Sequence, residues 1–89
     1  MSKRIEYSPY AHYCILEIIN YISKNPTVKG QKYLLEITKK IEYLIDFPNL
    51  GIYLGNNQYK YVINKNYIIY YKILNSKIYI LSVKHVKNN

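Results

Sequence analysis

The sequence predicts an α+β domain of order βααβββ, in which two antiparallel helices pack on one face of a small, mainly antiparallel sheet. Three observations predict it. A short alternating segment opens the chain, two stretches with apolar residues at helical spacing follow, and beyond residue 58 the period changes from helical to two. Neither helical stripe can be fully buried against the other helix alone, so a sheet must cover what remains.

The elements follow in order. In residues 3–7, Ile5 and Tyr7 alternate with Arg4 and Glu6, the pattern of a short strand. Ser8-Pro9 is an N-cap followed by proline at the first helical position, where the missing amide hydrogen costs nothing. Ala11, Ile15, Ile18, Ile19 and Ile22 then form one apolar stripe, opposed by Tyr13, Glu17, Asn20 and Lys24, and Asn25-Pro26 ends the helix. Thr27 can cap a second helix, which buries Leu34, Ile37, Ile41 and Leu44 and turns Lys32, Glu36, Lys39 and Lys40 outward. Phe47-Pro48-Asn49-Leu50-Gly51 breaks it. Residues 58–64, 67–74 and 77–84 are β-branched, aromatic and alternating, and are joined through Asn64-Lys65-Asn66 and Asn75-Ser76. Connections this short make the three strands antiparallel neighbours.

Length and composition set the frame. Eighty-nine residues, 49% hydrophobic and 20% charged, form a single domain over residues 1–89 with one core, outside the range of disordered chains. No apolar run approaches the roughly 18 residues of a membrane span, and no secretory leader opens the chain, so a cytoplasmic protein without a membrane partner is expected. Cys14 is the single cysteine, which excludes an internal disulfide and a cysteine-based zinc site, and its place on the helix makes it a buried apolar residue. His12 and His85 are too few and too far apart for a zinc site, so no metal is expected. The three glycines are scattered and form no phosphate loop, so no cofactor is expected either.

The net charge of +8 is uneven: residues 1–46 hold seven basic and five acidic side chains, whereas residues 47–89 hold six lysines and no acid. A purely cationic half attracts either phosphate backbones or an acidic protein. The thirteen tyrosines carry less weight, because Ile, Asn, Lys and Tyr together make up 50 of the 89 residues, as A/T-rich coding would produce. Most are expected to be packing residues with a wet hydroxyl.

With both helices on one face, the other face of the sheet is open. Strand parity places Lys60 there, with Tyr70 and Lys72 of the next strand, as a cationic and partly aromatic binding surface that Lys84 and Lys87 extend. The same residues also suit simple solvation.

Over nearly its whole length the chain resembles the RelE/ParE superfamily of toxins from type II toxin–antitoxin systems, closer to the ParE-like branch. The resemblance rests on Ile5-Glu6-Tyr7-Ser8-Pro9 with Ala11, on Ile18 to Ile22 before Asn25-Pro26, on Phe47-Pro48 with Gly51, and on Tyr67-Ile68-Ile69-Tyr70-Tyr71-Lys72 followed by Ile80-Leu81-Ser82-Val83-Lys84-His85-Val86-Lys87. It implies a toxin neutralised by a cognate acidic antitoxin, and the charge asymmetry suits such a partner. The target it implies is DNA gyrase in one branch and mRNA on the ribosome in the other.

In the RelE-like branch, lysines and arginines of the open face hold the phosphate during metal-independent RNA cleavage. Lys60 matches one such lysine, but Val62 stands at the second lysine position and Ile68 at the central arginine position. His85 is the remaining candidate base, since an imidazole near pH 6.5 suits proton transfer. The other reading of His85 is a solvated or capping residue at a strand end. His85 and Lys60 are thus the candidate catalytic pair if the chain is a RelE-like, metal-independent endoribonuclease, whereas a ParE-like chain is no enzyme. The expected function is a ParE-like inhibitor of gyrase. The alternatives are a ribosome-dependent mRNA endoribonuclease, or a remnant that binds nucleic acid or antitoxin without toxicity.

Overall fold

The computed structural model describes residues 3–24, 28–63 and 65–86, with side chains undescribed at 28–30. The elements are β1 (Arg4–Tyr7), α1 (Pro9–Lys24), α2 (Val28–Asp46), β2 (Ile52–Gly55), β3 (Gln58–Ile63), β4 (Tyr67–Ile73) and β5 (Lys77–His85). The strands form one five-stranded sheet ordered β1-β5-β4-β3-β2, in which only the β1–β5 pair is parallel. The α+β class and both helices therefore stand as expected, and the sheet holds one strand more than the sequence predicted, β2.

Helix α1 starts where its capping signal lies. Ser8 Oγ accepts the Ala11 amide hydrogen bond at 2.9 Å and donates to the Leu81 carbonyl of β5 at 3.0 Å, so one hydroxyl caps the helix and ties it to the sheet. The expected Asn25-Pro26 stop, the Thr27 cap and the Asn64 turn position lie outside the described residues.

Both helices cover the same face of the sheet. Ala11 and Cys14 of α1 and Ile37, Ile41 and Leu44 of α2 meet Ile63, Tyr67, Ile69, Tyr71, Ile78, Ile80 and Val83 in one buried cluster. Burying each large apolar side chain of this set contributes roughly 1.5–3 kcal/mol. The odd-numbered residues of β3 and β4 face this core. In β5 the parity changes: Tyr71 stands opposite Ile80 but Tyr70 opposite Ser82, so Leu81 is an extra residue and a β-bulge. Before the bulge Ile78 and Ile80 point to the helices; after it, Val83 and His85 do.

The unexpected strand is held by a tight hairpin. Gly55, Asn56 and Asn57 all have positive φ (99°, 52° and 63°), the backbone that a two-residue connection between twisted strands requires and that glycine and asparagine tolerate. Beyond it Ile52 pairs with Lys60 and Tyr53 with Tyr59.

Candidate functional site

The face of the sheet away from the helices is formed by strand register. Lys60 lies opposite Tyr70, Gln58 opposite Lys72, Ile68 opposite Lys84 and Tyr70 opposite Ser82, so Lys60, Tyr70, Lys72 and Lys84 share one side across three adjacent strands. The Lys84 Nζ stands 5.9 Å from the centroid of the Tyr70 ring, within the range where the ring quadrupole attracts a cation. Lys87, the last residue of the expected surface, lies outside the described residues.

Charge is distributed unequally along this face. At the β1 end, Glu6 accepts a hydrogen bond from Lys77 at 2.9 Å and lies 3.9 Å from Arg4. The Lys77 hydrogen bond, reinforced by the charges of Lys77 and Arg4, holds the Glu6 carboxyl below its usual range. Farther across, Lys60, Lys72 and Lys84 have no carboxylate within 4 Å among the described residues. The middle of the sheet therefore presents a cluster of uncompensated positive charge beside an aromatic ring. Such a surface attracts an anionic macromolecule, by steering first and by contact afterwards.

His85 is not part of this face. It pairs with Tyr67, a core-side residue, and the two rings meet edge to face at 4.9 Å and 87°. The Leu81 bulge accounts for this, because without the extra residue the even positions of β5 would stay with the core and His85 would face the lysines. The structure thus places His85 and Lys60 on opposite sides of the sheet. General base and phosphate-holding cation must converge on one reacting phosphate, and these two do not.

His85 instead borders a groove of about 520 Å³ between α1 and the end of β5, lined among others by Tyr10, Tyr13, Glu17, Tyr21 and Tyr67. Tyr10, Tyr13, Glu17 and Tyr21 follow one another at helical spacing, a second stripe beside the buried one, and Tyr10 and Tyr13 stack at 6.2 Å. Sequence reasoning assigned Tyr13 and Glu17 to solvent and missed the groove, although the three- and four-residue spacing was its signal. Among the described residues no three His, Cys, Asp or Glu side chains gather as metal ligands, and no helix is long and apolar enough to cross a membrane.

Comparison with known proteins agrees with this architecture. The family model described as "ParE toxin of type II toxin-antitoxin system, parDE" matches residues 5–89. No curated sequence matches significantly. Among solved structures, the chain is similar to one described as "Chromosomal ParDE TA system from P. aeruginosa", with a TM-score of 0.76 at 13% identity, covering 96% of this chain and 97% of the other. At that identity the structural likeness speaks for the fold, while the family match spans all but the first four residues. The chain accordingly belongs to the ParE toxin family of type II toxin–antitoxin systems.

Proposed function

We propose that this toxin acts in the cytoplasm by binding and inhibiting DNA gyrase, and that its cognate antitoxin, an acidic chain, neutralises it. The observation that carries the reading is the separation of His85 from Lys60 by the thickness of the sheet. An RNA-cleaving toxin needs base and phosphate-holding cation on one side of the substrate, whereas an inhibitor that works by contact needs only presented surface. This reading makes the protein no enzyme.

The open face formed by Lys60, Tyr70, Lys72 and Lys84 takes the role of recognising negative charge on a macromolecular partner, with the antitoxin as the partner that its charge favours. A flexible acidic segment is drawn to the lysines before specific contacts form and orders as it binds.

The test is a pair of assays on the purified toxin. Supercoiling of relaxed plasmid by gyrase is expected to fall with added toxin and to recover when antitoxin is supplied, and translated mRNA is expected to stay intact. His85→Ala and Lys60→Ala toxins are expected to arrest growth as the wild type does. Codon-phased cuts in mRNA that vanish with His85→Ala, together with undisturbed supercoiling, would replace this reading with the endoribonuclease one.

A further inference from the structure

The two edges of the sheet are protected very differently. On the β1 edge, the strand itself carries Arg4 and Glu6, and Lys3 crosses to the Leu74 and Asn75 carbonyls at 2.8 and 3.0 Å, so charge guards the exposed backbone. The β2 edge has no such guard. Residues 47–59, thirteen in a row, carry no charge in a chain of net charge +8. Phe47, Leu50, Ile52, Tyr53, Leu54 and neighbouring Val62 leave 45–64% of their surfaces in solvent. An uncharged apolar edge strand is a template for strand pairing.

A row of neighbouring rings, Tyr59 stacked on Tyr71 and Tyr53 tilted against Tyr59, ends at the same edge. Tyr71, Tyr59 and Tyr53 stand side by side on β4, β3 and β2, with successive centroids 5.2 Å apart. Tyr71 is fully buried, whereas Tyr53, the outermost ring, is 58% exposed. The row stops where a further strand would continue it.

We propose that β2 is a homodimer interface, on which a second copy of this chain pairs its own β2 in antiparallel fashion. Three features select a second copy as the occupant. The patch is neutral, so two copies of a +8 chain can meet here without opposing lysines. The nearest lysine of the open face, Lys60, lies one strand inward, which sets the two Lys60 side chains about three strand spacings, ~14 Å, apart, beyond the ~8 Å screening length of physiological salt. An acidic partner, by contrast, would gain no charge attraction from a surface without cations.

The geometry closes. Antiparallel pairing places a two-fold axis perpendicular to the sheet, which joins the two sheets into one of ten strands with all four helices on one side and both lysine clusters on the other. Two Tyr53 rings then extend the aromatic row across the dyad. The six exposed side chains offer on the order of 600 Å² per copy, taking ~150–250 Å² for a whole aromatic side chain, against the ~800 Å² per partner of a stable complex. The exposed strand backbone and adjoining turns contribute the difference. A bulge beside Leu54 shortens the straight part of the ladder, so side-chain burial dominates the association.

Sedimentation equilibrium of the full-length toxin, freed from its antitoxin and refolded, tests the proposal. Wild-type protein is expected to show a monomer–dimer equilibrium at micromolar concentration. Ile52→Lys and Leu54→Lys, at positions already more than half exposed, are expected to weaken it at least about tenfold by opposing charges across the dyad. Both variants should keep the wild-type circular dichroism spectrum and bind antitoxin as before. Single cysteines introduced as Ile52→Cys, Tyr53→Cys and Leu54→Cys are expected to yield, under oxidation, at least one disulfide-linked dimer, and Arg4→Cys none. A wild-type chain that stays monomeric to ~100 μM, a dimer indifferent to both lysine variants, or lysine variants that fail to bind antitoxin would each overturn it.

Discussion

The hydroxyl of Tyr71 accepts a hydrogen bond from the amide of Gly51 at 3.0 Å and donates one to the carbonyl of Pro48 at 2.7 Å. One buried ring from the middle of β4 thereby fixes the chain where it leaves α2 and enters β2. Gly51 is glycine because of that proximity: a Cβ there would lie 2.8 Å from the Lys60 carbonyl oxygen and 2.9 Å from the Tyr71 hydroxyl. Gly51→Ala is expected to destabilise the protein by about 1–3 kcal/mol, since both neighbours are fixed by the sheet. Tyr71→Phe keeps the ring packing and loses the two hydrogen bonds, for about 1–2 kcal/mol. Urea unfolding of the toxin–antitoxin complex would rank them. A Gly51→Ala protein as stable as wild type would mean that the β2 entry yields easily.

Ser8 joins helix to sheet through a hydroxyl that both accepts and donates. Ser8→Ala is expected to cost about 1–2 kcal/mol, because it removes the cap from α1 and leaves the Leu81 carbonyl without this donor. Ser8→Asp separates the two roles. An aspartate is as good a cap as serine but sets a carboxylate against the Leu81 carbonyl, so this variant should be no more stable than Ser8→Ala. Recovery of wild-type thermal stability in Ser8→Asp would assign the whole effect to the helix cap.

Much of this architecture was legible in the sequence because it is local. The Ser8-Pro9 signal, the stripe through Ile37, Ile41 and Leu44, and the alternation that sets Lys60 beside Tyr70 each depend on residues within a few positions of one another or across a short turn. What escaped was of two kinds. Strand β2 has four residues bounded by Gly51 and Gly55, too few for alternation to register, and its signal was the hairpin chemistry of Gly55-Asn56-Asn57. The side on which His85 lies depends on one extra residue at Leu81, and a one-residue slip moves every later side chain to the other face. Apolar Ile78 and Ile80 followed by apolar Val83 carried that phase change. The parallel partnership of β1 with β5 joins Ile5 to Ile78, a separation that no local period reports.

Association with the antitoxin should depend on salt through the lysines of the open face. Lys60, Lys72 and Lys84 form its uncompensated cationic cluster, while Lys77 is already engaged by Glu6. Replacing all three by glutamine is expected to lower the association rate constant about tenfold at low salt, within the 10–10³ range that steering supplies, and to flatten its dependence on ionic strength. Lys77→Gln should do much less. Stopped-flow measurements at two salt concentrations would decide it, and equal losses for Lys77→Gln and the triple variant would remove the open face from the encounter.

Alkali should unfold this protein through its buried phenols. Burial raises the pKa of Tyr7, Tyr67 and Tyr71 above the ordinary value of 10.0; at Tyr71 the Gly51 hydrogen bond opposes the shift without cancelling it. A group whose pKa is higher folded than unfolded holds its proton in the native state while the unfolded chain releases it. The stability it contributes is therefore fully present below about pH 10 and is lost as pH rises from there through the folded-state value. Tyrosinate absorbance from these three phenols is expected to appear only as circular dichroism reports unfolding. Tyr67→Phe should move the unfolding step to higher pH, because one group that drives it is gone. A titration in which all thirteen tyrosines ionise together below the unfolding transition would show that none of these phenols is sheltered by the fold.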